Sequence, residues 1–162
     1  LTDQAQLTAL TLDKFDRKIL EALQRDGRIS NVELAQKVLL SESACLRRVR
    51  ALEQAGYISG YVAVLDHKML GRSGTAFVHI ALRREDQSEL AAFEQAVQRI
   101  PEIMECYLMT GEFDYLLRLV VSDMADFERL HNDALTRLPG VSRVNSSIAI
   151  RTVRKTTELP ID

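Results

Sequence analysis

Apolar residues in the first third of the chain recur at helical spacing. Phe15, Ile19, Ala22 and Leu23 fall at i, i+4, i+7 and i+8 behind Asp13, and Gly27 supplies a stop, so a first helix is predicted between them. Ser30-Asn31-Val32-Glu33 has the S-x-x-E form in which a hydroxyl and a carboxylate satisfy the end of a helix reciprocally, with Ile29 and Leu34 at the two staple positions. A second helix therefore starts near Asn31 and runs to about Val38. Ser41 offers a new N-cap with Leu40 stapled toward Cys45, so a third helix follows to Ala55 and stops at Gly56. Short helices joined by a brief turn outline a helix-turn-helix. Tyr57 to Leu65 is β-rich, and Asp66 to Gly74 reads as a linker.

Past residue 74 the pattern alternates. Strands are predicted at about 75–83, 103–110, 113–121 and 141–151, with helices at about 87–100 and 124–138, in the order βαββαβ. Arg99-Ile100-Pro101-Glu102-Ile103 and Arg137-Leu138-Pro139-Gly140-Val141 each close a helix and open a strand, an internal echo that marks two split βαβ units. Such units build a four-stranded antiparallel sheet with both helices on one face, the ferredoxin-like arrangement. Phe77 and Ala81 are apolar on one parity, and Ala76, Val78, Ile80 and Leu82 on the other, so both faces should be buried and the bare one should meet a second copy. The fold class is α+β: a helix-turn-helix domain over 11–62, a connecting strand and linker over 63–74, and a ferredoxin-like domain over 75–162.

Composition narrows the classes. With 46% hydrophobic and 27% charged residues the 162-residue chain is globular rather than disordered, and a net charge of −2 excludes a bulk polyanion binder. Any nucleic-acid contact must be local, and residues 1–62 are the more basic part at net +1 against −3 for the rest. The apolar runs Ala76–Leu82 and Tyr115–Val121 are interrupted by His79 and Arg118 and fall well short of the roughly 20 residues of a membrane span. Leu1–Leu10 carries no basic residue and does not look like a secretory signal. Cys45 and Cys106, far apart and without metal-ligand spacing, fit a reducing cytoplasm, with Cys45 a small core residue. His67, His79 and His131 are dispersed and form no metal site, and the glycines form no phosphate loop; no cofactor is implied.

The third helix carries the first candidate chemistry. If Cys45, Val49 and Leu52 point inward, a step of about 100° per residue puts Ser43, Arg47, Arg50 and Gln54 on the opposite side. Arginine binds guanine bidentately in the major groove, and serine or glutamine takes other base edges or phosphates, so the stripe suits a recognition helix. Ser41 stands at its start, and Arg48 on its flank is placed for a phosphate. The alternative is a solvated face. A second candidate is the hairpin Met109-Thr110-Gly111-Glu112-Phe113-Asp114. Gly111 lets backbone approach a ligand, exposed amides and the Thr110 hydroxyl suit a carboxylate, and Asp114 suits an ammonium. The alternative is a tight turn that uses Gly and Asp only for its own geometry.

These residues resemble a family. Leu12-Asp13-x-x-Asp16-Arg17-Lys18-Ile19-Leu20, Asp26-Gly27-Arg28-Ile29-Ser30-Asn31-Val32-Glu33-Leu34 and Cys45-Leu46-Arg47-Arg48-Val49-Arg50-x-Leu52-Glu53-x-x-Gly56-Tyr57-Ile58 are similar to the leucine-responsive/asparagine-regulator (Lrp/AsnC) transcription regulators. The likeness continues through Thr110-Gly111-Glu112-Phe113-Asp114-Tyr115-Leu116-Leu117 and Leu138-Pro139-Gly140-Val141, over about residues 11–160. It implies an N-terminal DNA reader and a C-terminal domain that binds amino acids and assembles dimers, often four in a ring, with an inverted-repeat operator as the double-stranded DNA partner. It also implies an effector held around the 109–114 turn where dimers meet, with Ser146, Ser147 and Ile148 at positions that affect the response. Met109 and Leu116 weakly favour a medium-sized or apolar amino acid. The family usually has glycine where this chain has Leu39, and a bulky residue at positive φ is strained, so another turn geometry is expected there. Two other classes fit parts of the pattern: an architectural DNA-organising protein without sensing, and a tetrapyrrole decarboxylase-like enzyme, against which the dispersed histidines and the intact arginine stripe both argue.

Overall fold

The computed structural model describes residues 11–84 and 86–161; the predicted absence of a signal at Leu1–Leu10 lies outside them. Contacts divide the chain into two units, one of residues up to 64 together with 154 onward, the other of 65–153.

In the first unit α1 spans Lys14–Arg25, α2 Asn31–Val38 and α3 Glu42–Gln54. Each start is capped by the residue the sequence nominates. Asp13 accepts from the amides of Phe15 and Asp16, and Asp16 returns a bond to the Asp13 amide. Ser30 and Glu33 close the predicted box, and Ser41 accepts from Ala44. Ile19, Leu34, Val38, Cys45 and Leu52 are fully or almost fully buried in one core, with Ile29, Leu40 and Val49 packed against it. The turn between α2 and α3 keeps the left-handed geometry that glycine would serve: Leu39 sits at φ 59° and ψ 49°. The expectation of a different turn is corrected. Amides of Leu39 and Leu40 donate to Gln36 and Ala35 and close the helix end. The Leu39 side chain is 81% exposed, so the strain is confined to its backbone and costs about 1 kcal/mol.

The second unit has β1 over Gly74–Leu82, α4 over Gln87–Val97, β2 over Ile103–Leu108, β3 over Tyr115–Val121, α5 over Met124–Asp133 and β4 over Val141–Ile148. The predicted βαββαβ order is observed, in one antiparallel sheet of strand order β2-β3-β1-β4. Ala76, Val78, Ile80, Leu117 and Leu119 bury one face against Phe93, Val97 and Leu130 of the helices. The other face carries Phe77, His79, Leu116, Arg118 and Val120, only half covered in a single chain. Edges differ from expectation. α5 stops at Asp133 because Ala134 leaves helical geometry, and a short 3-10 turn over Leu135–Arg137 completes the predicted length. The loop between β2 and β3 is longer than read, since β2 ends at Leu108 and β3 begins at Tyr115.

Tyr57–Leu65 forms no strand in the single chain, which corrects the β-rich reading: its side chains Val62, Val64 and Leu65 are exposed and, among the described residues, no neighbouring strand completes a ladder. The segment after β4 does not end with the sheet. Residues 157–161 lie along α1, where the Gln24 amide both donates to the Leu159 carbonyl and accepts from its amide, each at 2.9 Å, and Arg25 meets Glu158 at 3.2 Å.

Candidate functional site

Helix α3 is held to the rest of its unit by a side-chain bond and by its apolar inner face. The Asn31 side chain at the start of α2 donates to the Glu42 carbonyl at 2.9 Å, and Cys45 and Leu52 anchor the inner face. What remains outward is one surface: Ser43, Leu46, Arg47, Arg50, Ala51 and Gln54 line a single shallow concavity. Ser43, Arg47, Arg50 and Gln54 are exposed and contiguous, as their spacing requires. Among the described residues neither Arg47 nor Arg50 has an ion-pair partner. Two uncompensated guanidiniums on one helix face make a local anion-attracting surface on a chain whose net charge is negative. Ser41 is committed to its capping bond but stays exposed, and its hydroxyl lies 3.4 Å from that of Ser43.

Arg48 stands apart from this group. Its Nη1 lies 2.8 Å from both Asp13 and Asp16 of α1, and its guanidinium sits 5.4 Å from the Phe15 ring centroid. The hydrogen bond to Asp16, then that to Asp13, raises its pKa above the ordinary arginine value despite partial desolvation. The Asp13 carboxyl is lowered, chiefly by the Asp16 amide. Arg48 thus has intramolecular partners that sequence reasoning did not supply, and only its remaining N–H groups are left for a phosphate.

The second candidate site is the loop between β2 and β3. The Met109 amide donates to the Asp114 carbonyl at 2.8 Å, the Asp114 amide to Ile80, and the Leu82 amide to Asp114 Oδ2 at 2.6 Å. The first bond closes the loop across its base, and the other two pin its Asp114 end to β1. Gly111 has φ +117°, a conformation that side chains rarely adopt, and the space where a Cβ would stand is open. Among the described residues the amides of Thr110, Gly111 and Glu112 make no backbone hydrogen bond, so an exposed turn holds three donors without a backbone partner beside the Thr110 hydroxyl. The second Asp114 oxygen takes no hydrogen bond from a described residue. Met109 is 42% exposed next to them.

Arg143 and His79, which the sequence did not nominate, brace this loop. Glu112 pairs with Arg143 of β4 at 2.9 Å, Arg143 lies over the Phe113 ring at 4.6 Å, and Phe113 packs on His79 of β1 at 5.1 Å. Ser146 and Ser147 are not brought to the loop within one chain. Ser146 pairs with Val78 and points to the helix side, in a groove with Met124, Phe127, Glu128, His131 and Val144. Ser147 pairs with Phe77 on the open face, three residues and about 10 Å along β1 from Ile80.

The sequence model of a winged helix-turn-helix DNA-binding domain matches residues 12–59, and that of the Lrp/AsnC ligand binding domain matches residues 75–159. Leucine-responsive regulatory proteins of Escherichia coli (strain K12) and Klebsiella pneumoniae are each 43% identical over 161 residues, 99% of this chain and 98% of theirs. A transcriptional regulator of Neisseria meningitidis, solved in complex with L-Met, is similar at TM-score 0.89 and 39% identity, over 93% of this chain and 97% of that one. An AsnC family regulator of Agrobacterium tumefaciens is similar at TM-score 0.88 and 37% identity, over 92% and 97%.

Proposed function

The chain belongs to the Lrp/AsnC family of DNA-binding transcription regulators, and on that premise we propose that α3 reads an operator while the loop between β2 and β3 binds a free amino acid that changes assembly or DNA binding. The enzymatic alternative falls with the family assignment, since the relatives named above are regulators. The observation that carries the DNA reading is the shared face of Ser43, Arg47, Arg50 and Gln54, whose two guanidiniums have no ion-pair partner among the described residues. Ser41 at the helix start and the donors of Arg48 left over by Asp13 and Asp16 are assigned to phosphates. Arg47→Ala tests the assignment: it should lower affinity for a selected operator about ten-fold or more, with unfolding free energy unchanged within about 0.5 kcal/mol. Parental affinity in a gel-shift titration would move the reading face elsewhere.

For the sensing site, a carboxylate would meet the amides of Thr110, Gly111 and Glu112, and an ammonium the second oxygen of Asp114. Met109 and Leu116 would take the side chain, which favours an apolar or sulfur-containing amino acid, and the regulator from Neisseria meningitidis solved with L-Met supports that class. Ser146 and Ser147 join such a site only where chains meet. A thermal-shift panel of the common amino acids tests the sensing reading, because a ligand of the folded state raises apparent stability by mass action. A chain that only organises DNA would respond to none.

Assembly follows from the open face of the sheet, where Phe77 is 37% exposed beside half-covered His79, Leu116 and Val120. Two such faces packed together make a two-fold dimer with a pair of recognition helices, suited to an inverted repeat with half-sites near one turn of DNA apart or a multiple. Four dimers in a ring extend the same scheme. Light scattering at micromolar concentration should give at least twice the mass of one chain, and the mass of a single chain would refute the dimer. A regulator of this kind works beside the chromosome, in the cytoplasm.

A further inference from the structure

Helix α3 places one large apolar side chain where neither the core nor the polar stripe uses it. Leu46 is 39% exposed, whereas Cys45 and Leu52 on the same helix are fully buried. It shares the outer concavity with Ser43, Arg47, Arg50, Ala51 and Gln54. At about 100° per residue it lies some 60° to one side of Ser43, next to Arg50, with Glu42 and Glu53 beyond it. A lone exposed leucine is ordinary on a protein surface. This one is on the first half of a helix whose N-terminal residues approach base edges, beside two guanidiniums without ion-pair partners among the described residues.

If Arg47 and Arg50 dock on DNA, Leu46 is carried into the major groove with them. Its isobutyl group offers no hydrogen bond, so covering a base nitrogen or oxygen would strip water without replacement. The major-groove edges present one fully apolar group, the thymine 5-methyl. We infer that Leu46 reads a thymine methyl and is a specificity-determining residue of the operator contact. This rests on the assignment of α3 as the DNA-reading helix.

Uracil separates the methyl from every other feature of thymine, since it keeps all hydrogen-bonding atoms. Sequences selected by the full chain from a random duplex pool supply the operator, and each thymine is then replaced by uracil symmetrically in both half-sites. For the parent, one position should weaken binding about four-fold per half-site, the worth of one buried methyl. Leu46→Ala should bind the thymine operator as weakly as the parent binds the uracil one, and should show no further loss at that position. Uracil tolerated everywhere by the parent, or an equal uracil penalty in Leu46→Ala, would overturn the inference while leaving α3 as the reader. A pool that yields no preferred sequence would overturn both. Arg47→Ala keeps the two failures apart, because it tests the helix without touching the methyl contact.

Discussion

Arg48→Ala is expected to lower the unfolding free energy of the chain by about 2 to 3 kcal/mol, a larger change than any surface substitution on α3 should cause. Asp16 is 5% exposed, and its carboxylate meets Arg48 at 2.8 Å and the Asp13 amide at 3.1 Å. Removing the guanidinium leaves a buried carboxylate with a single hydrogen bond. A fully buried pair broken this way costs about 3 to 5 kcal/mol, and the 28% exposure of the Arg48 side chain reduces that. Asp13, 46% exposed, adds little of its own.

Two further measurements separate the ion pair from simple loss of side-chain bulk. In the Arg48→Ala background, Asp16→Ala should cost less than it does alone, because no carboxylate is then stranded. Urea denaturation followed by helical circular dichroism reads both. A loss below about 0.5 kcal/mol for Arg48→Ala would mean that the triad is only surface decoration. Adjacent arginines of one helix divide between holding α3 to α1 and facing outward, and a sequence offers no way to tell them apart beyond about 100° of helical rotation.

That limit describes what was legible. Local chemistry placed the helix starts well: Ser30 with Glu33, Ser41 and Asp13 all cap as their residue types demand, because a cap depends on neighbours three residues away. Periodicity likewise separated the two faces of β1, since alternation is a property of the strand itself. What failed needed distant partners. Tyr57–Leu65 has the composition of a strand, but a strand needs a neighbour, and the described residues of one chain supply none. Leu39 looked incompatible with left-handed geometry; the two amide bonds that close α2 hold it there, at a cost the unit tolerates.

The same division runs through the sites. Ser43, Arg47, Arg50 and Gln54 were readable because one helix supplies them all. Leu46 was not singled out, since the rotation that puts the polar stripe outward leaves it on the flank, where its exposure is known only from the packed unit. In the loop after β2, Gly111 and Asp114 were readable from turn chemistry. Arg143 and His79 were not, because His79 reaches the loop only through the pairing of β1 with β3, and Arg143 only through that of β1 with β4. Neighbouring serines at 146 and 147 point to opposite faces of β4, a consequence of strand alternation that a list of positions conceals.

Asp114→Asn should leave a folded protein that still binds DNA, with its affinity for the best amino acid of the thermal-shift panel weakened about 30-fold or more, roughly 2 kcal/mol. Stripping an ammonium of water without an ionic partner costs several kcal/mol, so a site for a free amino acid needs a carboxylate near its carboxylate-binding amides. Asp114 is three residues past Gly111, and its Oδ2 is already taken by the Leu82 amide at 2.6 Å, which aims the side chain and leaves one oxygen over. In asparagine the amide oxygen can keep the Leu82 bond. The NH2 group then faces the place an ammonium would occupy, and two donors meet where a donor met an anion. The competing account gives Asp114 only the task of pinning the loop to β1. On that account asparagine, which retains the pinning bond, would bind the amino acid as the parent does. Calorimetry decides between them. Unchanged affinity would confine Asp114 to the turn and pass the ammonium to Glu112, which would first have to release Arg143, its partner at 2.9 Å.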